Sequence, residues 1–333
     1  MSEPRPLALT MGDPAGIGGE LSVRAWLARR LSGPVFVLLD DPDRLVAIGR
    51  ALGRTVQVRT VTSAAEAAAV FPDALPVLAV PLAAPAEPGR PDPANAAAVV
   101  AAIEQATRLC LAGETAAMVT NPVSKAQLHK TGFLHPGQTE FIAALTGTTF
   151  VVTMLASPML RVVPVTVHVS LREALAALST ETILATARIT AGALRRDFGV
   201  MQPRLAIAGL NPHAGEHASM GEEEVTLIEP AIEQLRREAL DVSGPWPPES
   251  MFTSEARAQY DVAIGMYHDQ VLIPLKTLDV ARGVNVTLGL PIIRTSPDHG
   301  PAFRIAGSGR GDPASLLASL DLAADLAARR QPG

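Results

Sequence analysis

Three histidines follow three apolar runs in this chain. His168 comes after residues 160–167, His213 after residues 205–210 and His268 after residues 262–266. Each run reads as a buried strand, so three strand ends can bring three imidazoles to one point. That is how a divalent metal site with open positions is built. The histidines lie far apart along the chain and match no local metal motif, so the support comes from their polar neighbours. Thr166 and Ser170 flank His168, Asn211 and Glu216 flank His213, and Asp269 and Gln270 follow His268. Partners of these types orient metal-ligating imidazoles. His129, His135 and His217 lack the strand-end setting and read as solvated residues.

Three further segments carry polar chemistry. The first is a Gly-rich turn, Met11-Gly12-Asp13-Pro14-Ala15-Gly16-Ile17-Gly18-Gly19-Glu20, placed between a strand and a helix where backbone N–H groups can face an anion. It is not a Rossmann fingerprint, because Leu21 stands where the third glycine belongs, and it lacks the Gly-Lys-Ser/Thr of a P-loop. Gly16 and Gly18 are its candidate cofactor contacts. The second runs from Thr120-Asn121-Pro122-Val123-Ser124-Lys125 to Gly137-Gln138-Thr139-Glu140, with Thr139 expected as a helix N-cap and a hydroxyl donor to a bound phosphate or carboxylate. The third spans residues 275–310. There Lys276 and Arg294 can neutralise a small anionic substrate, Asn285 can orient it, and the interrupted loop from His299-Gly300 to Gly309 can support a dinucleotide.

The elements that must position these groups alternate. Short Leu- or β-branched-rich runs at residues 7–11, 35–39, 116–120, 150–155, 162–167, 205–210 and 262–266 read as strands, separated by segments of helical period. This order predicts an α/β fold with a mainly parallel sheet. Helices are expected over 93–112, 171–178, 180–198 and 222–238. Ser170 caps the second of these, and Ser179 or Thr180 starts the third, with Glu181 in its first turn. Pro-rich stretches at 81–95 and 244–248 read as surface connections.

Composition narrows the class. With 333 residues, 48% hydrophobic and 18% charged, the chain has material for two packed layers or two domains. Net charge is −5, with lysines and arginines scattered, so the basic stripe of a nucleic-acid binder is missing. The single cysteine, Cys110, excludes an internal disulfide, suits a reducing compartment and reads as helix core filler. The first residues carry no signal-peptide pattern, and no run approaches the ~20 apolar residues of a membrane span. A cytoplasmic protein with no membrane or nucleic-acid partner is expected.

Taken together, these segments resemble the 4-hydroxythreonine-4-phosphate dehydrogenase family of pyridoxal-phosphate biosynthesis. The resemblance covers essentially the whole chain and is most specific in Gly209-Leu210-Asn211-Pro212-His213-Ala214-Gly215-Glu216, in Met266-Tyr267-His268-Asp269-Gln270, and from Arg282 to Pro291. It implies that His168, His213 and His268 bind one divalent metal (zinc, magnesium or cobalt) in the cleft of a homodimer, with ligands drawn from both subunits. It places substrate contacts on Thr139, Lys276, Asn285 and Arg294. The implied fold is a two-domain α/β/α architecture similar to isocitrate and isopropylmalate dehydrogenases, with the active site in the interdomain and dimer cleft. Residues 126–289 would form a central domain set into a terminal one made of 1–125 and 290–333. In those relatives a His-Gly loop holds the cofactor adenine, which His299-Gly300 resembles, with NAD or NADP as cofactor.

The implied reaction is metal-assisted oxidation of a secondary alcohol, with hydride transfer to nicotinamide and loss of carbon dioxide from the β-keto acid. Asp269 and Lys276 are the catalytic candidates. One position departs from the family pattern, which has a histidine where this chain has Gln138. An amide donates a hydrogen bond but cannot become cationic, so it is a weaker partner for a phosphate dianion. Four-carbon sugar-acid phosphates such as threonate or erythronate 4-phosphate, and aromatic cis-dihydrodiols, are therefore alternative substrates. A metal-dependent hydrolase or lyase, or a non-catalytic binding protein, is the alternative of a different class.

Overall fold

Runs such as Leu7–Thr10 and Phe36–Asp40 are apolar along nearly their whole length, and every residue in them is buried. Continuous burial of this kind belongs to parallel strands covered on both faces. The computed structural model describes residues 5–330. The chain divides into two compact units. One runs as far as Val151 and resumes at Leu290–Ala328, and the other is built on Val152–Gly289.

The terminal unit holds strands β1 (Leu7–Thr10), β2 (Phe36–Asp40), β3 (Val58–Thr60), β4 (Leu75–Ala79), β5 (Met118–Thr120) and β12 (Arg294–Pro297) in the order β3-β4-β2-β1-β5-β12. All these pairings are parallel. Its helices are α1 (Gly18–Arg29), α2 (Pro42–Ala51), α3 (Ala67–Val70), α4 (Ala96–Leu111), α5 (Lys125–Lys130), α6 (Gln138–Leu145) and α12 (Ala314–Arg329). Val99, Ala102, Ile103 and Ala106 of α4 bury one face in a core with Ala8, Val37 and Met118 of the sheet. Leu128, Phe141 and Ile142 join that core. Residues 126–151, expected in the central domain, therefore cluster with the terminal unit.

The central unit holds β6 (Val152–Ala156), β7 (Arg161–Thr166), β8 (Arg204–Ala208), β9 (Asp241–Trp246), β10 (Val262–Tyr267) and β11 (Val284–Leu288) in the order β11-β6-β7-β10-β8-β9. Strands β7, β10, β8 and β9 are parallel, while β11 and β6 enter antiparallel. Its helices are α7 (Leu171–Ala177), α8 (Thr180–Arg196), α9 (Glu229–Arg237), α10 (Ser254–Arg257) and α11 (His268–Asp279).

The caps follow local chemistry. Ser170 and Glu173 form a reciprocal capping box at α7, and Ser179 with Thr182 does the same at α8. The helix expected over 222–238 instead opens with a wide turn, Glu224–Ile228, before α9. Pro230 has no N–H to return to Thr226, so the regular ladder cannot run through that point. The expected cap at Thr139 is corrected. Gly137 holds the N-cap position of α6, and Thr139 lies inside the first turn. Among the described residues no helix is long and apolar enough to cross a membrane.

Candidate functional site

His168, His268 and His213 follow the C-terminal ends of β7, β10 and β8, which are adjacent in the sheet in that order. Two of the three meet. The rings of His168 and His268 lie with centroids 5.8 Å apart. A hydrogen bond between the strand ends fixes this spacing, with the buried Thr166 hydroxyl donating to the Met266 carbonyl at 2.8 Å. His268 Nδ1 stands 2.7 Å from Asp269 Oδ1. In the tautomer whose Nδ1–H donates to that carboxylate, the lone pair of Nε2 is left for a ligand. A cavity of about 320 Å3 adjoins the pair, lined by Thr166, His168, Leu171, Tyr267, His268 and Asp269.

His213 has the same second partner type, with Nδ1 3.1 Å from Glu249 Oε1. Its loop is unusual. His213, Ala214, Gly215, Glu216, His217 and Ala218 all have positive φ, between 41° and 76°. For each non-glycine residue the left-handed region costs roughly 1–2 kcal/mol, so surrounding bonds must hold this run in place. Among the described residues no group of three or more His, Cys, Asp or Glu side chains gathers in one chain to hold a metal. The set is thus a pair of imidazoles plus a separately presented third.

In the terminal unit, Arg294 lies almost wholly buried at the start of β12, in register with Met118 at the start of β5. Its Nη2 and Nε donate to Thr120 Oγ1 at 2.7 and 3.1 Å, and Nη1 reaches Thr139 Oγ1 at 3.4 Å. Burial pushes the guanidinium down to about 10, opposed by the Glu140 carboxylate. It remains cationic at neutral pH and gathers two hydroxyls around it. Gln138, at the start of α6, donates through Nε2 to the Asn121 carbonyl at 3.2 Å, while its Oε1 is buried with no hydrogen-bond partner. Lys276 and Asn285 belong to the central unit. Lys276 is exposed on α11, two turns beyond Asp269 on the same helix face, and Asn285 Oδ1 on β11 is buried without a partner.

The Gly-rich turn faces protein. A Cβ on Gly12 would stand 2.7 Å from the Asn121 Cβ, and one on Gly18 would stand 2.9 Å from the Met11 carbonyl. Gly12 also has φ +71°. Asn121 Nδ2 donates to the Thr10 carbonyl and to Ser22 Oγ, both at 2.9 Å, locking the turn after β1 to the turn after β5. The strap after β12 lies over this turn. Ile17 N–H donates to the Pro301 carbonyl at 3.0 Å, and the Glu20 carboxylate accepts from Gly307 N–H. These glycines therefore allow close approach of chain segments, a role for which the sequence motif gave no specific signal.

On the strap, His299 Nδ1 is 2.9 Å from the Gly300 carbonyl and its Nε2 is buried without a partner. A Cβ on Gly300 would meet nothing within 4 Å. Beside the strap opens a cavity of about 560 Å3, whose walls include Gly16, Glu20, Arg44, Leu82, Pro88 and Gly307. Arg44 was not singled out in the sequence. It forms a buried ion pair with Asp40 at 2.6 Å and donates to the Pro14 carbonyl at 2.9 Å, anchoring the turn to α2.

The strand ends of the central unit present imidazoles and a carboxylate, and the terminal unit holds a buried arginine, in a protein of the α/β class with mainly parallel sheet pairing. The family described as Pyridoxal phosphate biosynthetic protein PdxA matches residues 34–323, and the chain belongs to it. A 4-hydroxythreonine-4-phosphate dehydrogenase from Bradyrhizobium diazoefficiens is 51% identical over 340 residues, covering 98% of both chains. The crystal structure of 4-hydroxythreonine-4-phosphate dehydrogenase from Klebsiella pneumoniae superposes with a TM-score of 0.89 at 37% identity, over 98% of this chain and 99% of that one. A terephthalate 1,2-cis-dihydrodiol dehydrogenase from Burkholderia xenovorans superposes with a TM-score of 0.66 at 29% identity, over 97% of this chain and 98% of that one.

Proposed function

We propose that this chain is a metal-dependent, NAD- or NADP-linked dehydrogenase that oxidises the secondary alcohol of 4-(phosphooxy)-L-threonine to 2-amino-3-oxo-4-(phosphooxy)butanoate. That product decarboxylates to 3-amino-2-oxopropyl phosphate, because its new ketone is β to the carboxylate. The observation that carries the reading is the His168–His268 pair, 5.8 Å between ring centroids, with Asp269 on the Nδ1 of His268. Two imidazoles with a carboxylate behind one of them fit a zinc, cobalt or magnesium ion, the nitrogen donors favouring the first two.

The divalent ion supplies Lewis-acid polarisation of the reacting oxygen, and the dinucleotide supplies the hydride acceptor. The chain's own residues do the rest. Arg294, with Thr139, holds the substrate phosphate, and its burial strengthens that attraction by excluding water. Lys276 and Asn285 are the further substrate contacts. Asp269 orients His268, and Asp269 or Lys276 Nζ takes the alcohol proton. His299 and Gly300 receive the cofactor on the strap, supported by the unpartnered Nε2 and the open face of Gly300, with Gly16 on the adjoining cavity wall and Gly18 keeping the turn beneath it close-packed.

The metal site is completed by a second copy of the chain. Within one chain His213 does not join the other two in a ligand group. Exposed Leu171 beside the pair, with exposed Leu175 on α7 and Ile273 on α11, offers apolar surface for that copy. A compartment that keeps Cys110 reduced, the cytoplasm, suits the enzyme.

The deciding experiment mixes two inactive variants, His168→Ala and His213→Ala, after dissociation and reassociation. A shared site predicts one intact site in each mixed dimer, hence about a quarter of wild-type activity from a statistical mixture. No recovery, with mixed dimers demonstrated by mass, would overturn the shared site; full activity in either parent would remove the metal assignment.

One observation favours a second substrate. The unpartnered Oε1 of Gln138 seeks a donor rather than a phosphate. A sugar-acid phosphate or a cis-dihydrodiol, the latter in line with the Burkholderia relative's name, would supply a hydroxyl there.

A further inference from the structure

We propose that Glu224 is a positioning residue for the metal ligand His213, acting by holding the left-handed loop in which His213 sits. The proposal rests on the reading of His213 as a ligand. Glu224 is 1% exposed, although it is a carboxylate. Its Oε1 accepts from the backbone N–H groups of both Leu210 and Asn211 at 2.7 Å, and its Oε2 accepts from Asn211 Nδ2 at 2.9 Å. Among the described residues no cation is bonded to it. A buried carboxylate satisfied only by N–H groups persists where those bonds are needed, and here all of them belong to the two residues that lead into Pro212-His213.

The packing around the carboxylate leaves no slack. A Cβ on Gly215 would stand 2.6 Å from Glu224 Oε2, and one on Gly209 would stand 2.8 Å from the Ala214 Cα and 3.1 Å from Glu224 Oε1. The loop thus folds directly over the acid. From the other side, Gln270 Nε2 donates to the Gly209 carbonyl at 2.7 Å while its Oε1 accepts from Met266 N–H at 2.6 Å. The start of the His213 loop is therefore fastened on one side to Glu224 and on the other to the strand end that carries His268. Glu224 also begins the continuous helical segment 224–237, whose N-terminal dipole favours an anion.

A carboxylate is specifically required. Asn211 Nδ2 donates to Glu223 Oε2 at 2.8 Å as well as to Glu224. In Glu224→Gln one oxygen becomes an NH2 that faces Asn211 Nδ2, donor against donor. Turning the Asn211 amide to relieve this would set its oxygen against Glu223.

The test is a titration of the metal-free protein with Co2+, followed by its visible absorption, which reports both affinity and coordination geometry. Glu224→Gln should bind Co2+ about 10- to 100-fold more weakly, with an altered spectrum, while far-UV circular dichroism and elution volume stay those of the wild type. Gly215→Ala, which pushes the carboxylate from the opposite side, should reproduce the effect if Glu224→Gln fails to fold. Glu222→Gln removes an exposed charge two residues away and should change neither affinity nor spectrum. His213→Ala separates the two ideas. If it loses Co2+ while folded Glu224→Gln and Gly215→Ala keep wild-type affinity and spectrum, Glu224 is only structural and the proposal is overturned. If His213→Ala itself keeps wild-type affinity, the ligand reading fails and this proposal with it.

Discussion

The hydroxyl of Thr166 donates to the carbonyl of Met266 at 2.8 Å, and this bond adds a side-chain tie between the strand end bearing His168 and the strand end bearing His268. Both strands are parallel neighbours, with Thr166 in register with Tyr267. The imidazole pair is therefore set by the sheet rather than by a flexible loop, although His168 itself has φ 52°.

That bond predicts the outcome of Thr166→Val. The change keeps the side-chain shape and leaves the Met266 carbonyl without its donor in a buried position, which costs about 1–3 kcal/mol. The expected result is a melting temperature lower by several degrees, with Co2+ affinity reduced about tenfold. Thermal unfolding and a metal titration on the same preparation check it. Unchanged affinity in the destabilised variant would mean that the strand-end bond serves the fold alone.

Arg294 predicts the opposite balance of stability and function. Its guanidinium is depressed to about 10 because burial disfavours the charged form more than its surroundings favour it. A base whose pKa falls on folding is destabilising while charged, and that penalty is fully present below the folded value and relieved as pH rises from there toward the ordinary arginine range. Arg294→Met, which removes the buried charge at similar length, should therefore leave the melting temperature unchanged or raise it near neutral pH. Added inorganic phosphate should stabilise the wild type but not this variant, and the variant's KM for the phosphorylated substrate should be about 100-fold higher or more. A large loss of stability without a change in KM would assign Arg294 to the fold instead.

How far the sequence could be read depended on whether a feature is local. The capping boxes at Ser170 and Ser179 are written within four residues, and the apolar runs that became β1, β2, β7, β8 and β10 are continuous, so both were legible. The strand ends that carry the three histidines followed from the same pattern. Glu224 was hidden because its importance comes from a backbone run of positive φ, and among its six residues only Gly215 signals that conformation. Arg294 was legible as an anion partner, but not as a buried side chain bonded to Thr120, because that contact joins residues 174 apart in the chain. The Gly-rich turn was legible as a turn. That Gly12 and Gly18 clear space for Asn121 and for Met11 required the packed sheet.

Gln138 carries the prediction on substrate choice. Its amide spends Nε2 on the Asn121 carbonyl and leaves Oε1 buried without a donor, close in sequence to Thr139, which Arg294 contacts. An amide oxygen repels a phosphate dianion, whereas an imidazolium donates a charge-assisted hydrogen bond that contributes about 1.5–3 kcal/mol. Gln138→His should therefore raise kcat/KM for 4-(phosphooxy)-L-threonine about tenfold or more and leave an unphosphorylated analogue unimproved. The introduced imidazole helps while it carries its proton, so the gain should be largest below about pH 6.5 and fade as pH rises past that value. Paired pH profiles of the two proteins on the two substrates measure this directly. If Oε1 instead receives a hydroxyl of the true substrate, the same change will lower kcat/KM for the phosphorylated threonine or leave it flat. The wild type will then prefer a sugar-acid phosphate or a dihydrodiol in a parallel assay. Because Arg294, Thr139 and the histidine pair are untouched by the substitution, either outcome isolates the contribution of this one side chain.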